Sequence, residues 1–265
     1  MHSPRVVIIP TVGQLNNIWQ SQIYHVYKTQ FQNPAGFKVF LVGNIDTVRL
    51  KPLVEKYLAS LPVNGDPLKW KDVSLGFPEG KTNVEVRKGS APQSMVMLMM
   101  KGKYHYDFEN NLLMDALTQT LDIELREVVR EQESGTYGIY ISPSVEQYPR
   151  QKYSLNLGFG CAPQNVDRLV KSVFDVFEKF RKEGPDALTL KKVKETFIRT
   201  RQSDVRENSF WMNQIVNAQF EGIPIKTQGE YDAAVNSITI SQIKKAAKKY
   251  LTMDHYVLGV LKPQK

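Results

Sequence analysis

The stretch with the most reactive side chains is Leu125–Gly138, where Arg126, Glu127, Arg130, Glu131 and Glu133 close a helical pattern and Tyr137 follows a Ser134-Gly135 turn. A guanidinium offers five fixed donors and a phenol one. Carried to the same strand edge across a helix-to-strand corner, Arg130 and Tyr137 could grip the carbonyls of an extended peptide or stabilise a developing oxyanion. The same two residues have a plainer use. Arg130 can cap the last carbonyls of its own helix, and Tyr137 can pack as a half-buried strand aromatic. Local sequence leaves both roles open.

Other chemistries find less material. The four histidines, His2, His25, His105 and His255, form neither H-E-x-x-H nor H-x-x-E-H, so no zinc-binding helix is expected in this chain. His25 is expected on a helix face and His105 in a loop. Cys161 ends a strand pattern with no basic neighbour, which predicts an inert thiol, and a single cysteine excludes an internal disulfide framework. No G-x-S-x-G elbow is present, and Gly158-Phe159-Gly160 and Gly43 do not make a phosphate loop. The chain is therefore expected to supply no metal ligand and no general base.

The formal charge of +8 invites a nucleic-acid partner. Lys and Arg are spread from Arg5 to Lys265 among Glu and Asp, however. The cluster Lys244, Lys245, Lys248 and Lys249 shares a helix with an apolar stripe of Ile240, Ile243, Ala247 and Leu251, which makes it a solvated face. No nucleic-acid partner is expected. The apolar runs are too short for a membrane span.

The elements that must position Arg130 and Tyr137 follow from periodicity. Helical spacing predicts helices over 14–31, 47–60 (capped by Asp46), 108–130, 164–181, 189–207 and 209–221, and a last one from Thr239 with a Thr239/Gln242 capping box. Strands are expected near 83–88, 93–101, 136–144, 153–161 and 256–261, and 37–42 is a further β-rich run. Met95–Met100 has no polar face, which predicts a strand covered on both sides. Prolines and glycines make 62–82 a long connector and the best place for a boundary. Strand pairs separated by helices predict an α+β fold, an antiparallel or mixed sheet with helices on one face. The chain opens on Met1-His2-Ser3-Pro4-Arg5 and runs directly into Val6-Val7-Ile8-Ile9, which reads as a piece of a longer polypeptide.

Arg130-Glu131-Gln132-Glu133-Ser134-Gly135-Thr136-Tyr137-Gly138 resembles the R-E-x-x-G-x-x-Y signature of pitrilysin/insulinase-type zinc metallopeptidases, with the Arg-to-Tyr spacing of seven matching. Phe37–Asp46 followed by Leu50, Leu53, Lys56-Tyr57-Leu58 and Leu61-Pro62 is similar to the opening of that family's C-terminal-type domain. Ser209-Phe210-Trp211 fits its bacterial branch. The resemblance runs from about Phe37 to the C-terminus. It implies a two-layer domain of the processing-peptidase/insulinase type over 37–265, with 1–36 continuing from an upstream domain. It further implies an intact zinc endopeptidase acting on peptides or small proteins, whose zinc lies on an H-x-x-E-H helix in the N-terminal domains of the same polypeptide. Arg130 and Tyr137 would then bind substrate, this chain alone being inactive. The alternative is a non-catalytic family member acting as a scaffold or peptide-binding subunit. The compartment stays open, the resemblance pointing to a bacterial periplasm or envelope.

Overall fold

The computed structural model describes residues 10–69, 71–72, 76–132 and 136–264, without the side chains of 130–132 and 137. Its helices are α1 (Val12–Asn16), α2 (Gln20–Phe31), α3 (Thr47–Tyr57), α4 (Phe108–Leu125), α5 (Val166–Lys182), α6 (Ala187–Asp204), α7 (Asn208–Glu221), α8 (Gln228–Ser237) and α9 (Ile240–Tyr250). Its strands are β1 (Lys81–Arg87), β2 (Ser94–Lys103), β3 (Thr136–Glu146), β4 (Lys152–Cys161) and β5 (Tyr256–Lys262). Two compact units emerge, Met1–Leu75 with Asn208–Val216, and Gly76–Glu207 with Asn217–Lys265.

The larger unit is an α+β domain. Its five strands lie in the order β1-β5-β2-β4-β3, with β1 and β5 parallel and the other pairs antiparallel. The sheet is therefore mixed. On its inner face Val96, Leu98 and Met100 of β2 join Leu155, Leu157 and Phe159 of β4 and Ile139 and Ile141 of β3, all buried in one core with α4, α5 and α9. Leu117, Leu121 and Leu125 make α4 the central helix of that core, each fully buried. Amphipathic α5 adds Leu169, Val173, Phe177 and Phe180, and Ile243 and Ala247 of α9 close it.

β2 corrects one expectation. Val96, Leu98 and Met100 are buried, whereas Met95, Met97 and Met99 are exposed on the outer face, beside exposed Val84, Val86 and Leu261. Within the larger unit, helices pack on one face of the sheet. The all-apolar run signals two apolar faces, of which the inner one is buried among the described residues.

The smaller unit departs further. No described residue between 10 and 69 is buried. The helix expected over 14–31 is broken at Asn17, after which Trp19 takes an extended conformation (φ −99°, ψ 134°) before α2. Residues 37–42 form no strand, because no neighbouring strand among the described residues offers them a ladder. Phe37, Val39 and Leu41 are left exposed. Asp46 does cap α3, its carboxylate accepting from the N–H groups of Val48 and Arg49 at 2.9 and 3.1 Å. Thr239 and Gln242 form the expected capping box.

Candidate functional site

The corner that carries Arg130 and Tyr137 is built from two local irregularities. The α-helix expected to run to 130 ends at Leu125, and Arg126–Gln132 continues as a π-helical turn. Such a turn inserts residues into a helix and re-aims the chain beyond it, and it is common at functional sites. Val129, fully buried, anchors it to the core.

The second irregularity is at the start of β3. Thr136 pairs with Cys161 and Gly138 with Gly160, so β3 advances two residues while β4 advances one. Tyr137 is the extra residue of a β-bulge, a device that turns one side chain out of the regular alternation. The hydroxyl of Thr136 holds the bulge. It donates to the Gly160 carbonyl at 2.7 Å and accepts from the Gly138 N–H at 3.2 Å. β3 is also the last strand of the sheet, with no neighbour on its far side among the described residues. The backbone thus sets Arg130 on the wide turn and Tyr137 on the bulge of an edge strand. Their side chains lie outside the described residues. Thr136 was not singled out from the sequence. The usable signal was a β-branched hydroxyl two residues before a glycine, at the point where helix gives way to strand.

From this corner a groove of about 390 Å³ runs between α4 and β3. Asp115, Gln119, Asp122 and Arg126 form a polar stripe on its helical side, and Ile141, Ser142 and Pro143 of β3 lie opposite. Asp122 is engaged, its Oδ2 lying 2.7 Å from Nε of Arg126. The Asp115 carboxylate has no hydrogen-bonded or ion-paired partner among the described residues. It is solvent-accessible in area yet crowded by the groove walls, and this desolvation pushes its carboxyl up to about 6, an effect that the reaching water moderates.

His25 lies exposed on α2, and His105 sits in the loop before α4 with Nε2 3.1 Å from Oδ2 of Asp107. Cys161 is a free, buried thiol whose pKa burial pushes up, away from nucleophilic use. Among the described residues no three His, Cys, Asp or Glu side chains converge to hold a metal ion. None of the described helices is long and apolar enough to cross a membrane.

The chain matches the family model described as the peptidase M16 inactive domain over residues 18–197. It is 25% identical over 238 residues to the probable zinc protease PqqL of Escherichia coli, an alignment covering 88% of this chain and 25% of that protein. The crystal structure of the periplasmic protease PqqL from Escherichia coli superimposes with a TM-score of 0.70 at 24% identity, over 84% of this chain and 25% of that one. A point mutant of the ferredoxin protease FusC, in complex with Arabidopsis ferredoxin, superimposes with a TM-score of 0.76 at 17% identity, over 97% of this chain and 28% of that one. The chain spans about a quarter of the length of the curated relatives that it matches. Matched over well more than half its length, the chain belongs to the M16 peptidase family, as an inactive-type domain related to bacterial zinc proteases.

Proposed function

We propose that this chain is the substrate-gripping C-terminal part of a zinc metalloendopeptidase, in which Arg130 and Tyr137 hydrogen-bond the carbonyls of a bound peptide near its scissile bond. The observation that carries the reading is the backbone of the corner. A π-helical turn bearing Arg130 and a clamped bulge bearing Tyr137 occur within one short segment, at the exposed end of an edge strand. Irregular backbone is costly to hold, and here Val129 and Thr136 hold it. A guanidinium and a phenol so mounted can orient a peptide carbonyl and donate hydrogen bonds to the oxygen as it gains charge. Zinc and the general base would reside in an N-terminal domain of the same polypeptide, and this chain alone would be inactive. The related FusC is seen in complex with a protein, which favours a protein or peptide substrate here.

The same reading accounts for the apolar surface of residues 10–69 and the uncovered methionines of β2, both of which would face further parts of a longer polypeptide. The test is reconstitution. Joined to its upstream zinc-bearing part, the chain should support zinc-dependent peptide cleavage that neither part supports alone. A joined protein that binds zinc and peptide but cleaves nothing would favour the scaffold role instead.

A further inference from the structure

We infer that the groove between α4 and the outer edge of β3 is a subsite for an extended peptide carrying a Lys or Arg side chain, whose cation pairs with the Asp115 carboxylate. The inference rests on the peptide-binding role proposed above and adds a specificity to it. Three features carry it. First, β3 pairs only with β4 among the described strands, so its far edge presents backbone donors and acceptors that an added strand can satisfy. Pro143 removes one donor there and confines pairing to the part of β3 nearer the corner. Second, the groove beside that edge, about 390 Å³, is large enough for a long side chain. Third, its charges are unequal. Asp115 and Asp122 face one Arg126, and Arg126 is committed to Asp122 at 2.7 Å. Among the described residues Asp115 is left as a carboxylate without a counter-ion, in a crowded site where a cation would be favoured.

The fold also gives the position of that cation along the peptide. Asp115 precedes Arg130 by fifteen residues of helix, roughly 20 Å at 1.5 Å per residue. An extended peptide covers that distance in about six residues. The favoured Lys or Arg therefore stands about six residues from the bond held at the corner. Spacing of this kind separates the subsite from a recognition pocket next to the scissile bond.

The experiment is a fluorescence-anisotropy titration of the zinc-bearing full-length protein, stripped of zinc to prevent turnover. The probes are four labelled twelve-residue peptides: one with a single lysine near one end, its norleucine and glutamate counterparts, and the lysine peptide with alternate backbone amides N-methylated. The lysine peptide is expected to bind about fivefold tighter than the norleucine peptide at low salt, the scale of one partly exposed ion pair. N-methylation should weaken binding, and Asp115→Asn should abolish the lysine preference. Asp115→Lys should reverse it, favouring a glutamate peptide, and circular dichroism checks that both variants keep their helix content. Equal affinity of the wild-type protein for the lysine and norleucine peptides would overturn the subsite, as would a lysine preference that survives in Asp115→Asn. Because no turnover is read, failure here is distinct from failure of the corner. A turnover defect in Tyr137→Phe without any lysine preference removes only the subsite.

Discussion

Thr136 shows how much of the corner depends on one hydroxyl, which both donates across the sheet to Gly160 and accepts from Gly138. Thr136→Val keeps the shape and removes both bonds, at a cost of about 1–2 kcal/mol in stability. In the zinc-bearing protein it should lower kcat severalfold with zinc content unchanged, and Thr136→Ser should restore turnover. A stability loss with full turnover would reduce Thr136 to a structural role. Asp115 gives a second residue-level prediction. Its folded pKa is raised from an ordinary 3.8 to about 6, so the fold favours the protonated acid. The unfolded chain then ionises first as pH rises, and stability is lost between about pH 4 and pH 6 and stays lost above. Asp115→Asn should therefore be more stabilising, relative to wild type, at pH 7.5 than at pH 4, as read by urea denaturation at the two pH values. Arg130 and Tyr137 stand out in the sequence through the family resemblance, although the glycine of the signature stands at Gly135, one position later than the pattern has it. Thr136 was not, because its role depends on a partner 24 residues away, fixed only by strand register.

At the scale of elements, β2 separates what a sequence period can and cannot say. Leu98 faces the packed core and Met97 the open side of the same strand. Leu98→Ala should cost about 2–5 kcal/mol, whereas Met97→Ala in the chain alone should stay within about 0.5 kcal/mol. Comparable losses in chemical denaturation would mean that the outer face is covered after all. Apolar composition marked Met95–Met100 as strand, but which faces are filled depends on elements packed from elsewhere. Caps were the most readable feature, since a cap is satisfied within a few residues. Asp46 and the Thr239/Gln242 box stand as expected. The helix α8 was missed, although Thr227 and Glu230 form the same kind of box at its start. The π-helical turn left no mark in the apolar period, because Val128 and Val129 fit a continuing α-helix equally well.

At the scale of the molecule, the larger unit encloses its own core while residues 10–69 bury nothing. Val12, Trp19, Ile23, Val26 and Tyr27 display an apolar surface that water disfavours, and Phe37, Val39 and Leu41 alternate like a strand awaiting a neighbour. Amide hydrogen exchange in this segment should be fast in the chain alone and at least about tenfold slower in the full-length protein. Equal rates would mean that no further polypeptide covers it. Under the function proposed above, such coverage matters because the corner would act only with a peptide and a zinc ion brought to it by the rest of the protein. The most direct test is single-turnover cleavage of a peptide by the zinc-bearing full-length protein carrying Tyr137→Phe or Arg130→Lys. Each should lower the rate by about tenfold or more, the loss expected for one donor to a charging carbonyl oxygen, with zinc content and folding unchanged. Rates within about twofold of wild type for both variants would show that the guanidinium and the phenol do not touch the substrate at the reacting bond.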